Sequence, residues 1–237
     1  MKANNPIRIK TISQYHEKIG LPKPDHPYIS IINPGDIRRK PGRDPICLIY
    51  DFYIIAFDIF FDATIKYGQQ EYRIESGDIS FMAPKQVFTI IYNQNIEDSQ
   101  RSSGWMILIH PDFLWNTSQV GMMKRYEFFG YTINEALKIT SKEKKVIRGI
   151  VKSIREEYNS NIDKFSQNIM IAHLEVLLNY AERFYQRQFI RSKMANHKVL
   201  ERLEDILEKY FETQDLMSKG LPTAQYIADA LHIFEII

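Results

Sequence analysis

The feature that most constrains the fold is a series of short apolar runs between residues 27 and 110, separated by turn sequences. The runs are rich in β-branched and aromatic residues and cover residues 28–32, 46–61, 64–67, 71–74, 79–82, 87–92 and 105–109. The run at 46–61 is long enough for two strands. Glycine, proline, asparagine and aspartate mark the turns, as at 33–36 and 40–43. Many short strands at this spacing predict a sandwich or a barrel.

Helical periodicity replaces the strand pattern near residue 135. Thr140 and Glu143 predict a capping box at the start of a first helix, and Asn159–Asn161 is a predicted break. A second helix is predicted from about Asp163 to Arg191, and a third from Asn196 to about Phe211. Five apolar residues of the second helix alternate steps of 4 and 3, as in a coiled-coil seam: Met170, Leu174, Leu177, Ala181 and Phe184. This seam predicts a dimer interface, and packing within one chain stays open as the alternative.

Residues 1–26 are polar and contain three prolines, so they are predicted to form an arm with a short helix near residues 11–18. The net charge of +2 means that any contact with nucleic acid depends on local charge. The single Cys47 excludes an intrachain disulfide framework and fits a reducing compartment. No apolar stretch is long enough for a membrane span, and the N-terminus has no signal-like segment. We therefore expect a soluble cytoplasmic protein without membrane partners.

A short capped helix is predicted at residues 223–233. Thr223 can cap the helix, and Pro222 blocks its extension towards the N-terminus. One apolar face follows at positions i, i+3, i+4 and i+7: Ala224, Ile227, Ala228 and Leu231. The two alanines would let a neighbouring helix come close. This pattern is typical of the first, supporting helix of a helix-turn-helix unit.

Four segments together resemble AraC-type transcription regulators, and the resemblance covers roughly residues 25–233. They are the strand-to-loop exit Trp105–Leu114, the following segment from Tyr126–Tyr131 to Asn134–Leu137, Gly77-Asp78 with Phe81–Pro84, and the helix at 223–233.

The resemblance implies an α+β chain with four parts. These are an arm at 1–26, a cupin-like effector barrel or jelly roll at 27–134, a two-helix dimerisation element at 135–192 and an incomplete DNA-binding domain at 193–237. In the family a serine-like cap after the position of Ile233 starts the recognition helix, whereas Phe234–Ile237 follows here. We therefore expect the recognition helices to be absent from this chain.

The function implied by the resemblance is one-component transcription regulation by a homodimer, with DNA and a small-molecule effector as partners. Cupin enzymes hold a metal through a His-x-His pair, a glutamate and a later histidine. The six histidines here include no such pair, and Thr89 stands where the later ligand histidine would be. We therefore expect no metal, no cofactor and no catalytic residues.

The interior of the barrel is the predicted effector pocket, with four candidate residues: Tyr50, Phe52, Phe81 and Thr89. The alternative is that these side chains fill a small barrel. Two other functions stay open. One is a cupin-fold small-molecule binding protein or metal-dependent cupin enzyme, and the other is a dimerisation module with a filled barrel.

Overall fold

A computed structural model gives the fold of the chain and describes residues 6–37, 45–58, 63–67, 70–73, 77–92, 104–130, 136–160, 163–212 and 222–231. Within these ranges the chain is mixed α+β, as the sequence predicts. The chain divides into two compact units, residues 1–185 and 186–237. All the described strands belong to the first unit.

Ten strands lie in the described ranges and pair into two separate sheets. They are β1 (Ile7–Ile9), β2 (Ile29–Ile32), β3 (Ile46–Tyr50), β4 (Tyr53–Phe57), β5 (Ala63–Tyr67), β6 (Gln70–Arg73), β7 (Asp78–Met82), β8 (Val87–Tyr92), β9 (Trp105–Ile109) and β10 (Leu137–Lys138). The first sheet has the order β1-β3-β8-β5-β6, and the second has the order β10-β7-β4-β9-β2. All pairs are antiparallel except β1 with β3.

The predicted strand runs are all present, and the run at 46–61 does contain two strands, β3 and β4. The sequence did not predict β1 and β10. Among the described strands neither sheet closes on itself, so the observed architecture is two open sheets rather than a closed barrel.

The two sheets face each other across an apolar core, which we call the sandwich interior. Both sheets and helix α1 (Ile12–Ile19) contribute to it. Its buried members are Ile9, Ile12, Tyr15, Ile32, Leu48, Tyr50, Phe52, Ile54, Ala56, Ile65, Met82, Phe88, Met106 and Leu108. The short helix expected near residues 11–18 is therefore confirmed as α1.

Three further α-helices are described: α2 (Ser141–Tyr158), α3 (Ser166–Glu212) and α4 (Ala224–Leu231). Short 3₁₀ helices lie at Pro34–Asp36, Pro111–Leu114, Met122–Arg125 and Glu127–Phe129. The predicted capping box of α2 is confirmed. The Glu143 backbone N–H donates to Thr140 Oγ1 at 3.3 Å, and the Thr140 N–H donates to Glu143 Oε2 at 2.7 Å. A cap of this kind stabilises a helix by about 1 kcal/mol.

The predicted break between residues 191 and 196 is wrong, because α3 runs without interruption from Ser166 to Glu212. No glycine or proline occurs in this stretch, so no residue removes a helical hydrogen bond or favours another backbone conformation. Asn196 can cap a helix, but in a helix interior it costs only a fraction of a kilocalorie, about 0.7 kcal/mol at most.

The second sheet is buried on both of its faces. In β4 and β9 every residue is buried, although only alternate ones can point into the sandwich interior. The other face carries Ile55, Phe57 and Ile107, which are at most 1% exposed. The second sheet is therefore the middle layer of the first unit, between the first sheet and the helical side.

Candidate functional site

The sandwich interior is the first candidate site, because two of the predicted pocket residues lie in it. Tyr50 and Phe52 are buried, and their rings stack with 5.2 Å between centroids. Tyr15 of α1 meets both rings edge-on, at 5.5 and 5.9 Å. Phe88 of β8 lies 5.1 Å from Tyr50. These four rings, the interior aromatic cluster, occupy part of the space between the sheets.

The other two predicted pocket residues lie on different faces. On β7 and β8 the residues that belong to the sandwich interior are Met82 and Phe88. Because successive side chains of a strand point to opposite faces, Phe81 and Thr89 point away from it. Phe81 is buried on the outer face of the second sheet, and Thr89 is half-buried on the outer face of the first. The structure thus brings together two of the four predicted residues.

A buried polar pair, His16 and Ser30, lies beside this cluster. His16 is 6% exposed and Ser30 is 1% exposed. The His16 Nε2 atom lies 2.9 Å from Ser30 Oγ, and its Nδ1 atom lies 2.6 Å from the Pro22 carbonyl oxygen. An apolar lining with a few polar groups suits a small, mostly apolar ligand.

The sequence analysis missed His16, although a signal was available. Ile12, Tyr15 and His16 fall at i, i+3 and i+4 of the short predicted helix, which is the spacing of one buried face. Assigning this segment to a polar arm hid the pattern. All three residues are buried.

A second group of rings covers the outer face of the second sheet. Phe81 lies 4.4 Å from Phe128 and 5.5 Å from Phe129, centroid to centroid. Tyr185 of α3 stacks on Phe128 at 5.2 Å, and Tyr53 meets Phe129 edge-on at 5.0 Å. These five residues form the outer aromatic cluster. Burial raises the pKa of Tyr53 above its ordinary value of 10.0.

Polar contacts also attach the N-terminal half of α3 to the first unit. The Tyr126 phenol donates to Asn179 Oδ1 at 3.0 Å, and Arg125 pairs with Glu175 at 3.2 Å. Burial, and then the Glu175 carboxylate, raise the pKa of Tyr126 above its ordinary value. These contacts position α3 against the segment that follows β9.

All five residues of the predicted dimer seam are buried within the first unit: Met170, Leu174, Leu177, Ala181 and Phe184. The exposed apolar residues of α3 lie on another side of the helix. Ile169 is 40% exposed and Val176 is 42% exposed, and the exposed Ala172 lies between them at helical spacing. We call Ile169, Ala172 and Val176 the outer stripe. Val146 of α2 is also exposed.

The buried carboxylate Asp58 is a further candidate, and its contacts are structural. It lies after β4 with a φ of +50° and is 7% exposed. Its Oδ1 accepts the Gly77 N–H at 2.8 Å, and Lys144 Nζ lies 3.7 Å from its Oδ2. The Lys144 ammonium also lies 4.9 Å from the centre of the Phe57 ring. These contacts join the turn before β7 to the first turn of α2.

In the second unit, α4 begins as the sequence predicts. The Tyr226 N–H donates to Thr223 Oγ1 at 3.2 Å, which is the capping bond expected of Thr223. Ile227 and Leu231 are half-buried. The side chains of Ala224 and Ala228, and all of residues 232–237, lie outside the part of the chain that is described. The Tyr226 ring packs edge-on against Tyr210 of α3 at 5.1 Å.

Among the described residues, no group of three or more histidine, cysteine, aspartate or glutamate side chains is arranged to hold a metal ion. None of the helices in the described ranges has the length and apolar character needed to cross a bilayer. The chain matches no known protein-family model and no curated protein sequence.

Proposed function

We propose that this chain is the sensing and dimerising part of a one-component transcription regulator of the AraC type. The observation that carries the proposal is the capped helix α4, whose start at Thr223 agrees with the supporting helix of a helix-turn-helix unit. It follows a two-sheet unit with a buried interior and a pair of helices, in the order that the resemblance implies.

The two open sheets would correspond to the cupin-like effector domain of that family. The sandwich interior would bind the effector, with the interior aromatic cluster and the His16–Ser30 pair as its lining. The apolar character of this lining favours a small ligand with an apolar body and one or two hydrogen-bonding groups. Effector binding would change the balance between two states of the protein, as sensing requires.

The dimer surface of the proposed regulator is the outer stripe of α3. The five predicted seam residues already pack within one chain, whereas Ile169 and Val176 offer apolar surface to a partner. A two-fold interface on this helix would bring two copies of the second unit to paired half-sites on DNA.

DNA selection tests the proposed function. The protein is expressed from its own gene, so that any residues encoded after Ile237 are included, and incubated with a pool of random duplexes. We expect enrichment of a common sequence that weakens as salt rises. Failure to enrich any sequence at low salt would contradict a DNA-binding regulator.

A matched pair of variants makes this test specific to α4. Ile227→Glu places a charge on the half-buried face of the helix and should abolish the enrichment. Gln225→Glu introduces the same side chain at an exposed position near the helix start, where negative charge is tolerated, and should preserve it. Equal loss in both variants would argue against a supporting role for this face of α4.

A free-standing small-molecule binding protein is the second candidate, favoured by the buried His16–Ser30 pair beside the interior aromatic cluster. In that case the purified protein would gain thermal stability from a bound ligand without selecting DNA. The metal-dependent cupin enzyme would instead require stoichiometric metal in the purified protein.

A further inference from the structure

A closed circuit of hydrogen bonds joins α1, β2 and α2. The side chains in it are those of His16, Ser30 and Tyr158, which are 6%, 1% and 8% exposed. The circuit closes through the backbone of Pro22 and Asp25, in the segment between α1 and β2. Asp25 and Tyr158 are separated by 133 residues in the sequence, so the circuit is formed only by the tertiary structure.

The chemistry of each partner sets the direction of the circuit. A carbonyl only accepts, so His16 Nδ1 carries hydrogen and donates to the Pro22 oxygen. In the neutral ring Nε2 then accepts from the Ser30 hydroxyl. The Ser30 oxygen is left to accept from the Tyr158 phenol, with which it is hydrogen-bonded. Finally, the Tyr158 oxygen accepts the Asp25 N–H at 3.1 Å.

Each hydrogen bond therefore depends on the next. If Ser30 turned its hydroxyl towards Tyr158, His16 Nε2 would lose its donor. Because these groups are almost completely buried, a lost partner is not replaced by bulk water, and the cost of an unpaired polar group is incurred. The circuit therefore stabilises one arrangement of α1, β2 and α2.

One end of the circuit lies beside the interior aromatic cluster. Tyr15, the residue before His16, meets Tyr50 and Phe52 edge-on inside the sandwich. A ligand that displaced these rings would move α1 and, with it, His16. The other end lies on the helical side, where Tyr158 forms the last residue of α2.

We propose that this circuit couples the sandwich interior to α2, so that a displacement of α1 reaches the last turn of α2 through Ser30. The inference rests on the proposed function for its purpose, since a sensor needs such a connection. Its physical content needs neither an effector nor DNA. Coupling between two sites is reciprocal, so a change in α2 must also reach α1.

Amide hydrogen exchange on the full chain, without ligand, tests the coupling in both directions. Tyr158→Phe removes the phenol oxygen and keeps the ring, and it should speed exchange in α1 about fivefold, the factor for one net hydrogen bond. His16→Asn retains a donor that can reach the Pro22 carbonyl but is too short for Ser30. It should speed exchange at residues 155–158 of α2 by a similar factor.

Two further variants complete the experiment. Ser30→Ala, from the middle of the circuit, should speed exchange at both ends, and it takes the place of His16→Asn if that variant does not fold. Tyr126→Phe is the matched control, since it removes a buried phenol that is bonded to Asn179 outside the circuit. It should leave exchange in α1 unchanged.

The double variant His16→Asn, Tyr158→Phe should exchange little faster than the more affected single variant, because both changes break one circuit. The coupling is overturned if each change speeds exchange only in its own helix, or if the two effects multiply. That outcome would leave the proposed regulator standing. Conversely, failure to select DNA would overturn the proposed function and leave these exchange results unaffected.

Discussion

The two sheets of the first unit differ in what covers them. The second sheet lies between the sandwich interior and the helical side, and all residues of β4 and β9 are buried. The first sheet contributes one face to the interior, while its other face carries residues such as Val87, which is 46% exposed. A strand covered on both faces tolerates little change on either, and its sequence carries no alternation to distinguish them.

The largest expected effect comes from Gly104→Ala, next to the first residue of β9. A Cβ atom at this position would lie 1.9 Å from the Phe57 carbonyl oxygen and 2.6 Å from that of Asp58. Both are backbone atoms of the middle layer and cannot move aside without breaking the pairing of β4 with β9. We expect a loss of about 4 kcal/mol or more in the free energy of unfolding, measured by urea denaturation.

Gly149→Ala is the matched control, since the same methyl group meets nothing within 4 Å on the exposed side of α2. It should raise the free energy of unfolding by about 1 kcal/mol, through helix propensity alone. Both tryptophans, Trp105 and Trp115, lie in the first unit, so their fluorescence reports its unfolding. Similar stabilities for the two variants would contradict the close backbone approach at Gly104.

The second prediction compares outer-face residues of the two sheets directly. Ile107 lies on the outer face of the second sheet and is 0% exposed, so Ile107→Ala should cost roughly 2 to 5 kcal/mol. Val87 lies on the outer face of the first sheet, and Val87→Ala should cost below about 1 kcal/mol. Urea denaturation of both variants measures the difference. Equal losses would mean that the first sheet is also covered on its outer face.

The strands of both sheets could be predicted because each is a short local run bounded by turn residues. Caps were equally accessible, since Thr140, Glu143 and Thr223 act on backbone groups within three residues of themselves. The parallel pairing of Ile7 with Leu48 was not predictable in this way. Strand pairing of this kind depends on residues far apart in the sequence, which local patterns do not identify.

The candidate site shows the same limit at the scale of one side chain. Tyr50 was assigned to the interior correctly, in a strand of the first sheet whose burial alternates in part. On β7 of the second sheet, Phe81 and Met82 are both buried, so apolar character does not show which of them points inward. A shift of one residue reverses the faces, and Met82 rather than Phe81 belongs to the sandwich interior.

The seam of α3 was limited in a different way. Apolar residues at steps of 4 and 3 predict that one side of a helix is buried, as it is at Leu174 and Leu177. The spacing does not tell whether the covering surface comes from the same chain or from a second copy. In this chain the seam is covered within the first unit, and the exposed Val176 lies on the side that remains for a partner.

The smallest expected effect concerns His26, at the edge of the second sheet just before β2. Burial lowers the pKa of His26 from its ordinary value of 6.5, and its ring meets the buried Phe113 edge-on at 5.4 Å. The unfolded chain therefore binds a proton more readily than the folded chain, so stability should fall as the pH drops below about 6.5. His26→Asn cannot titrate but keeps an acceptor for the Tyr28 N–H, which donates to His26 Nδ1 at 3.1 Å. Urea denaturation at pH 7.5 and pH 5.5 should show a smaller difference in this variant, and an unchanged difference would place the acid sensitivity elsewhere.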